Sequence, residues 1–576
     1  MSVDQVACEL ERWPLDGVLG FIARLSLQMV LAGQDFADPR RQGQYLKWAI
    51  VDDFPAALPS AARMYVPGRV PLTSTSGVFI TEQNMAWLAH AALLRCEGDT
   101  VTDELEWGLR RRLCRLLLIA NDFLSGTAAA TPSTLPERRS FALNWLRYGQ
   151  FNRLFEPCNA TLARLARQYV LLVELLPKHF PEATSACEAA TGGVTLQRFF
   201  EILALIVTSV HSWSSGNGWL RRSAVCARIP SGRREIEMLL DRWTRTPEEY
   251  RRRFEEWQRD RPPVEAGPAY DFVPLRESPL IQMRPDELVC PVLPFLLSKM
   301  EDEPYFVLCD YLKQQDAQKQ RDFQQALGYA YEEYANSLVA RIASGDRGGA
   351  WVCRRPGLLD RQVGDDYLQR ADTGVPFEHK GQRPGTEFLR GGEGDRVLGP
   401  PSALLQRLEH GDQIPLQVGR SQDHGVLTRP MWQQSRATGA ILEFGEREAG
   451  SRPARLFPII THLADLRVDK VVRAAYLTPL ADKAGLYAEA CWQSPQWIHV
   501  SDLEWLAALA EAGRLDLAEL LADKTTNAPD ERFDVHLFRR FGPPTVDARL
   551  TEAVPRLLAG SLSAFSCPEP ASDEPS

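Results

Sequence analysis

The chain has 576 residues, 44% hydrophobic and 24% charged, the proportions of an ordinary globular protein rather than a disordered or fibrous one. Lys and Arg number 66 against 75 Asp and Glu, a formal net charge of −9, which excludes a generally basic nucleic-acid coat but leaves room for a local basic groove. Eleven scattered cysteines contain no Cys-x-x-Cys pair, which argues against a zinc knuckle or thioredoxin-type site and for reduced thiols. The polar, acidic residues 1–11 do not read as a signal peptide, and the longest mostly apolar run, 202–210, is too short to span a bilayer. A cytoplasmic protein without a membrane partner is the expectation.

In chain order, apolar residues recur at three- and four-residue steps over 19–32, 104–124, 162–176 and 196–213, predicting helices. Arg110, Arg111, Arg112 and Arg115 alternate with leucines in the second of these, the pattern of an amphipathic helix with a solvated basic side. The charged stretch 235–260 reads as two helices, because Thr246-Pro247-Glu248-Glu249 has a capping Thr, Pro at the first position and Glu at the third. Prolines cluster from Pro262 to Pro279, so the main boundary is expected there: a helical regulatory or recognition region over 1–262, a linker over 263–280, a second domain over 281–560 and a disordered tail over 561–576. Trp213, Trp219 and Trp243 lie near Arg221, Arg222, Arg233 and Arg234, consistent with core aromatics beside a basic face or with a docking surface for nucleic acid or a partner protein.

Past the boundary, helical patterns from Cys290, over 306–312 and over 322–342 give way to strand-like runs at 350–353, 366–369 and 375–380. Residues 381–401 are rich in Gly and charge and read as a loop; a helix follows Pro430, then strands over 455–462 and 497–500 and a helix over 503–512. The order predicts an α/β protein: a mostly helical first half, then a mixed sheet flanked by helices.

Candidate chemistry centres on this sheet. Residues two apart on a strand share a face, so Glu378 and Lys380 point one way while Phe377 and His379 point the other. A turn at Ala371-Asp372-Thr373-Gly374 brings Asp366 back beside Glu378. Two carboxylates suit Mg2+ or Mn2+, which keep several waters, and a lysine suits water activation or the charge developing on a phosphate. Gln433 and Gln434 are within range of the same face or simply line a polar helix; His424 reads as a solvated loop residue, His379 as packing and His499 as a satisfied core histidine. Neither a phosphate-cradling loop nor His-Glu-x-x-His is present.

Glu378-His379-Lys380, preceded by Gly364-Asp365-Asp366-Tyr367-Leu368, resembles the acidic and E-x-K strands of the PD-(D/E)XK, restriction-endonuclease-like nuclease superfamily. Leu327-Gly328-Tyr329-Ala330-Tyr331-Glu332-Glu333-Tyr334 is similar to its first core helix, while Phe457-Pro458-Ile459-Ile460-Thr461 and Trp497 to Glu504 are similar to its later strands, a likeness covering about 280–545. The resemblance implies a restriction-endonuclease-like fold and metal-dependent cleavage of nucleic acid, DNA first, in a setting such as defence against foreign DNA. It makes Asp366 and Glu378 the ligands of Mg2+ or Mn2+, Lys380 the residue assisting water, and Glu332 a supporting carboxylate, with Asp365 and Glu333 as the alternatives to Asp366 and Glu332. The competing expectation is a non-catalytic interaction or scaffold protein that keeps the nuclease-like sheet and binds through its helical half.

Overall fold

Strongly patterned apolar stripes fold most of the described residues into helices, and two sheets interrupt them. A computed structural model describes residues 8–32, 82–96, 112–113, 116–117, 134, 137–143, 146, 158–209, 219–227, 232–260, 273–354, 365–381, 427–436, 438–448, 450–464, 468 and 472–565. The helices are α1 Leu15–Ala32, α2 Glu82–Arg95, α3 Cys158–Tyr169, α4 Ala183–Thr191 and α5 Leu196–Ser209; the wider π-helical turn Val170–Leu175 continues α3. Most of the helix expected over 104–124 and the loop at 382–401 lie outside the described residues, as do His424 and Trp213.

A small mixed sheet follows, which the helical reading of this region did not foresee. Its strands are β1 Trp219–Arg221, β2 Thr244–Arg245, β3 Leu280–Arg284 and β4 Glu287–Val289, in the order β1-β4-β3-β2, with β2 and β3 parallel and the other pairs antiparallel. Between them run α6 Arg222–Ala227, α7 Arg233–Trp243, α8 Pro247–Asp260 and α9 Val273–Glu277. These strands have two to five residues each, too short for two-residue alternation to reveal. The cap at α8 forms as its sequence predicts: Thr246 N–H donates to Glu249 Oε2 at 2.9 Å and Glu249 N–H to Thr246 Oγ1 at 3.2 Å. Trp243 is fully buried, Arg222 pairs with Asp241 and Arg233 with Glu237, so these groups pack and pair within the protein.

Two long helices come next, α10 Leu293–Gln315 and α11 Ala317–Gly345. The larger sheet is built from β5 Val352–Arg354, β6 Asp366–Arg370, β7 Thr373–Lys380, β8 Arg455–Leu456, β9 Ile459–His462 and β10 Gln496–His499. Its order is β10-β9-β7-β6-β5, with β8 also pairing β7. β5, β6 and β7 form an antiparallel meander, and β7, β9 and β10 run parallel. The run expected as one strand over 455–462 is split at Phe457-Pro458, where Pro458 offers no N–H to a ladder.

Helices cover both faces. α12 Thr428–Arg436 and α13 Thr438–Glu448 lie between β7 and β8; α14 Thr478–Ala484 precedes β10. After β10 come α15 Val500–Glu511, α16 Leu517–Asn527, α17 Phe533–Phe541 and α18 Ala548–Phe565, the last running through residues 561–565 of the expected tail; 566–576 lie outside the described residues. α15 packs along α11 so closely that a Cβ on Gly345 would stand 2.7 Å from the carbonyl carbon of Ala510.

One buried apolar cluster joins Leu165, Phe200 and Leu203 of the first half to Leu308, Leu338, Phe377, Leu506 and Leu557 of the second. The described residues before and after 263–280 therefore share a core, and 273–280 already belong to α9 and the start of β3. Deep in this junction, Arg167 of α3 donates through Nε and Nη2 to Glu504 of α15 at 2.5 and 2.7 Å, and Tyr334 of α11 donates to the same carboxylate at 2.7 Å. No single helix among the described residues is long and apolar enough to cross a membrane.

Candidate active site at the end of the larger sheet

The register of the β6–β7 hairpin decides which carboxylates meet. Asp366 pairs with Phe377, Tyr367 with Pro376 and Leu368 with Val375. Directly opposed residues in an antiparallel pair share a face. Asp366 thus lies on the side of Phe377 and His379, and His379 Nε2 lies 3.3 Å from Asp366 Oδ2. This corrects the expectation that Asp366 joins Glu378 and Lys380: those two occupy the other face. His379 turns from Glu378 as expected, but toward Asp366, and its Nδ1 is 2.7 Å from Thr461 Oγ1.

Asp365, the alternative, sits one residue before β6. Its N–H donates to Phe377 O at 3.0 Å, and its Oδ2 accepts the His379 backbone N–H at 2.6 Å. The carboxylate is thereby fixed at the end of β7, where its negative charge bears on Glu378 and Glu332.

Glu378 is almost fully buried, and Lys380 donates to its Oε1. Its second oxygen, Oε2, has no hydrogen-bond partner among the described residues. Burial raises the Glu378 carboxyl above its ordinary range, with Lys380 opposing and Asp365 adding to the rise. A cation beside Oε2 would reverse that and keep the group ionised.

The two glutamates of α11 separate cleanly. Glu333 faces outward and pairs with Lys178 at 2.5 Å, close to His179. Glu332 is half-buried at the sheet end; burial first, then the charge of Asp365, pushes its carboxyl up to about 7, against the pull of Lys380 and His379. α11 comes this near because Gly381 follows Lys380: a Cβ there would meet Tyr331 Cβ at 3.0 Å and Gly328 Cα at 3.1 Å.

Gln434 serves the sheet rather than the open site. Its Nε2 donates to Pro376 O and Ile459 O, each at 3.2 Å, and its Oε1 accepts Tyr487 O–H at 3.0 Å. Tyr487 stands in the left-handed backbone region, φ 56°, and the nearby charge of Glu378 adds to burial in raising its phenol. His499 caps α15, accepting from Ser501 N–H at 3.3 Å, while its Nε2 lies 3.2 Å from Leu463 O.

Sequence reading passed over His462. It ends β9 directly beside Lys380 in the parallel register, is 1% exposed, and neither ring nitrogen has a partner among the described residues. Burial, with the charge of Lys380, pushes its imidazole down to about 3. Two-residue alternation from Ile460 gives its face, but only the β7–β9 register gives its neighbour.

The arrangement thus gathers Asp365, Glu378, Lys380 and Glu332 at the carboxyl ends of parallel strands, the usual ligand position of open α/β sheets. Among the described residues no three His, Cys, Asp or Glu side chains form a ready metal cage. The buried, unpartnered Glu378 Oε2 is nonetheless a hard anionic donor of the type Mg2+ and Mn2+ take, and these ions use as few as one or two protein carboxylates. Comparison with known proteins finds no matching family model, no similar curated protein and no similar solved structure.

Proposed function

We propose that this protein is a divalent-cation-dependent nuclease of the PD-(D/E)XK type, cleaving phosphodiester bonds of nucleic acid, DNA first, at the Glu378–Lys380 end of the larger sheet. The observation that carries the reading is the buried carboxylate of Glu378, paired with Lys380 through one oxygen and unpartnered at the other among the described residues. A buried polar atom without a partner costs on the order of 1–3 kcal/mol, and a cation at that oxygen would account for keeping it.

Glu378 Oε2 and Asp365 would hold Mg2+ or Mn2+; Asp366 is assigned a structural part with His379. The bound cation would neutralise phosphate charge and lower the pKa of a coordinated water. Lys380, anchored on Glu378 Oε1, would orient the attacking water with its ammonium and meet the charge developing on the phosphate. Glu332, poised near neutrality, accepts or returns a proton at its carboxylate. Restraint or target recognition is assigned to the helical first half, whose α3 reaches α15 through the Arg167–Glu504 pair. A cytoplasmic role in defence against foreign DNA is the setting this chemistry suits.

The test is cleavage of single- and double-stranded DNA and RNA by the full chain with Mg2+ or Mn2+. Glu378→Gln and Lys380→Ala should each lower the rate by at least about 100-fold, as loss of one charge-stabilising group does, with unchanged circular dichroism. Equal cutting by wild type and Glu378→Gln, or no cutting of any substrate by wild type, removes the reading.

A further inference from the structure

We propose that His462 completes the cation site of this protein with an imidazole nitrogen, making it a mixed oxygen–nitrogen site that selects Mn2+ over Mg2+. The inference rests on the nuclease reading above and deepens it.

Three observations converge. His462 lies beside Lys380 in the β7–β9 ladder, and Glu378 pairs with Ile460, which places Glu378 and His462 diagonally on one face of adjacent strands. With strands about 4.8 Å apart and a rise of about 3.3 Å per residue, such partners stand roughly 8 Å apart at Cα, a span that two long side chains can close from either side. Both side chains are 1% exposed. Both also carry polar atoms without a partner among the described residues: Glu378 Oε2 and the two ring nitrogens of His462.

Buried imidazoles ordinarily find a hydrogen bond, since leaving a polar group unmet costs about 1–3 kcal/mol. A carboxylate oxygen and an imidazole on one face of adjacent strands, both unmet, form a complementary pair for a cation: one anionic donor and one nitrogen lone pair. Lys380 is engaged on the other oxygen of Glu378, which leaves Oε2 without a partner among the described residues. Water would complete the coordination, as it does for ions held by few protein ligands. Imidazole favours transition ions, whereas Mg2+ prefers oxygen alone, so the nitrogen gives the site its bias.

Mn2+ itself is the probe, bound to the full chain without nucleic acid. In wild type, electron spin-echo modulation of bound Mn2+ should show coupling to a directly ligated 14N, a measurement that needs no variant. By titration of the free-ion Mn2+ resonance, His462→Ala should weaken Mn2+ binding by about 10-fold or more, while Mg2+ affinity, read by competition in the variant, changes by less than about 3-fold. Saturable Mn2+ binding that Glu378→Gln weakens, but without 14N coupling and unaffected by His462→Ala, overturns this assignment and leaves the nuclease reading standing. Absence of any saturable Mn2+ binding by wild type overturns both.

Discussion

Asp365 and Asp366 are neighbours on opposite sides of the larger sheet, and their substitutions should separate accordingly. Asp365 is fixed at the end of β7 by the His379 backbone N–H, whereas the Asp366 side chain meets the His379 ring on the other face. We expect Asp365→Asn to lower cleavage by at least about 100-fold, roughly 2.7 kcal/mol of barrier. Asp366→Asn keeps a hydrogen-bonding group for His379 and should stay within about 10-fold of wild type. Single-turnover rates on one duplex compare them, and the reverse ranking would restore Asp366 to the site. Gly381 offers a second residue-scale test. Its missing Cβ lets α11 approach Lys380, with Tyr331 Cβ only 3.0 Å from where that carbon would stand. Gly381→Ala should therefore destabilise the protein by about 1–3 kcal/mol, the usual range for overpacking. An unchanged urea midpoint would show that the helix yields freely.

At the scale of elements, the contact among α3, α11 and α15 is held by charge inside the core. Arg167 is 2% exposed at its side chain and Glu504 6%. Removing one member strands the other, so Arg167→Met should cost about 3–5 kcal/mol. Arg167→Met combined with Glu504→Met should be more stable than Arg167→Met alone, because neither charge is then left buried. Denaturant titration of the three proteins distinguishes this from simple loss of packing, in which case the double variant would be the weakest. These elements were also where the sequence was most and least readable. Periodicity over 322–342 and the capping residues at Thr246 mark helices that form close to where expected. Nothing local marks Arg167 as the partner of a residue 337 positions away. The short strands β1 and β2 escape for a related reason: their pairing is supplied by distant segments, β4 and β3, rather than by their own alternation.

For the whole molecule, the shared core has a direct consequence. Leu165, Phe200 and Leu203 pack in one cluster with Leu338, Phe377 and Leu557, so a fragment of residues 263–576 exposes apolar surface that the full chain buries. We expect that fragment to aggregate or to lack a cooperative thermal transition; a sharp transition like that of the full chain would establish an independent second domain. Acid sensitivity is also built in. His90, packed against Tyr250 and Phe254, is pushed by burial down to about 4 from the ordinary imidazole value of about 6.5. Between those values the unfolded chain takes up a proton that the folded chain refuses. Its contribution is therefore complete at neutral pH and is lost as pH falls from 6.5 toward 4, by about 3 kcal/mol in total. Urea midpoints of wild type and His90→Gln at pH 7 and 4.5 read this difference; parallel losses in the two proteins would assign the acid sensitivity elsewhere.

By itself the sequence determined the kinds of element and their approximate places, because helical periodicity, two-residue alternation and capping residues are local properties of the chain. It also marked Glu378 and Lys380 as companions, since residues two apart on a strand share a face whatever the strand pairs with. The family resemblance had put Glu332 ahead of Glu333, and the packing of α11 turns Glu332 inward. The tertiary structure alone decided that Asp365 rather than Asp366 lies on the side of Glu378 and Lys380 and that His462 stands next to Lys380. Each of those depends on register or on the direction of helix packing, where a shift of one residue reverses the face and no short stretch of sequence carries the information.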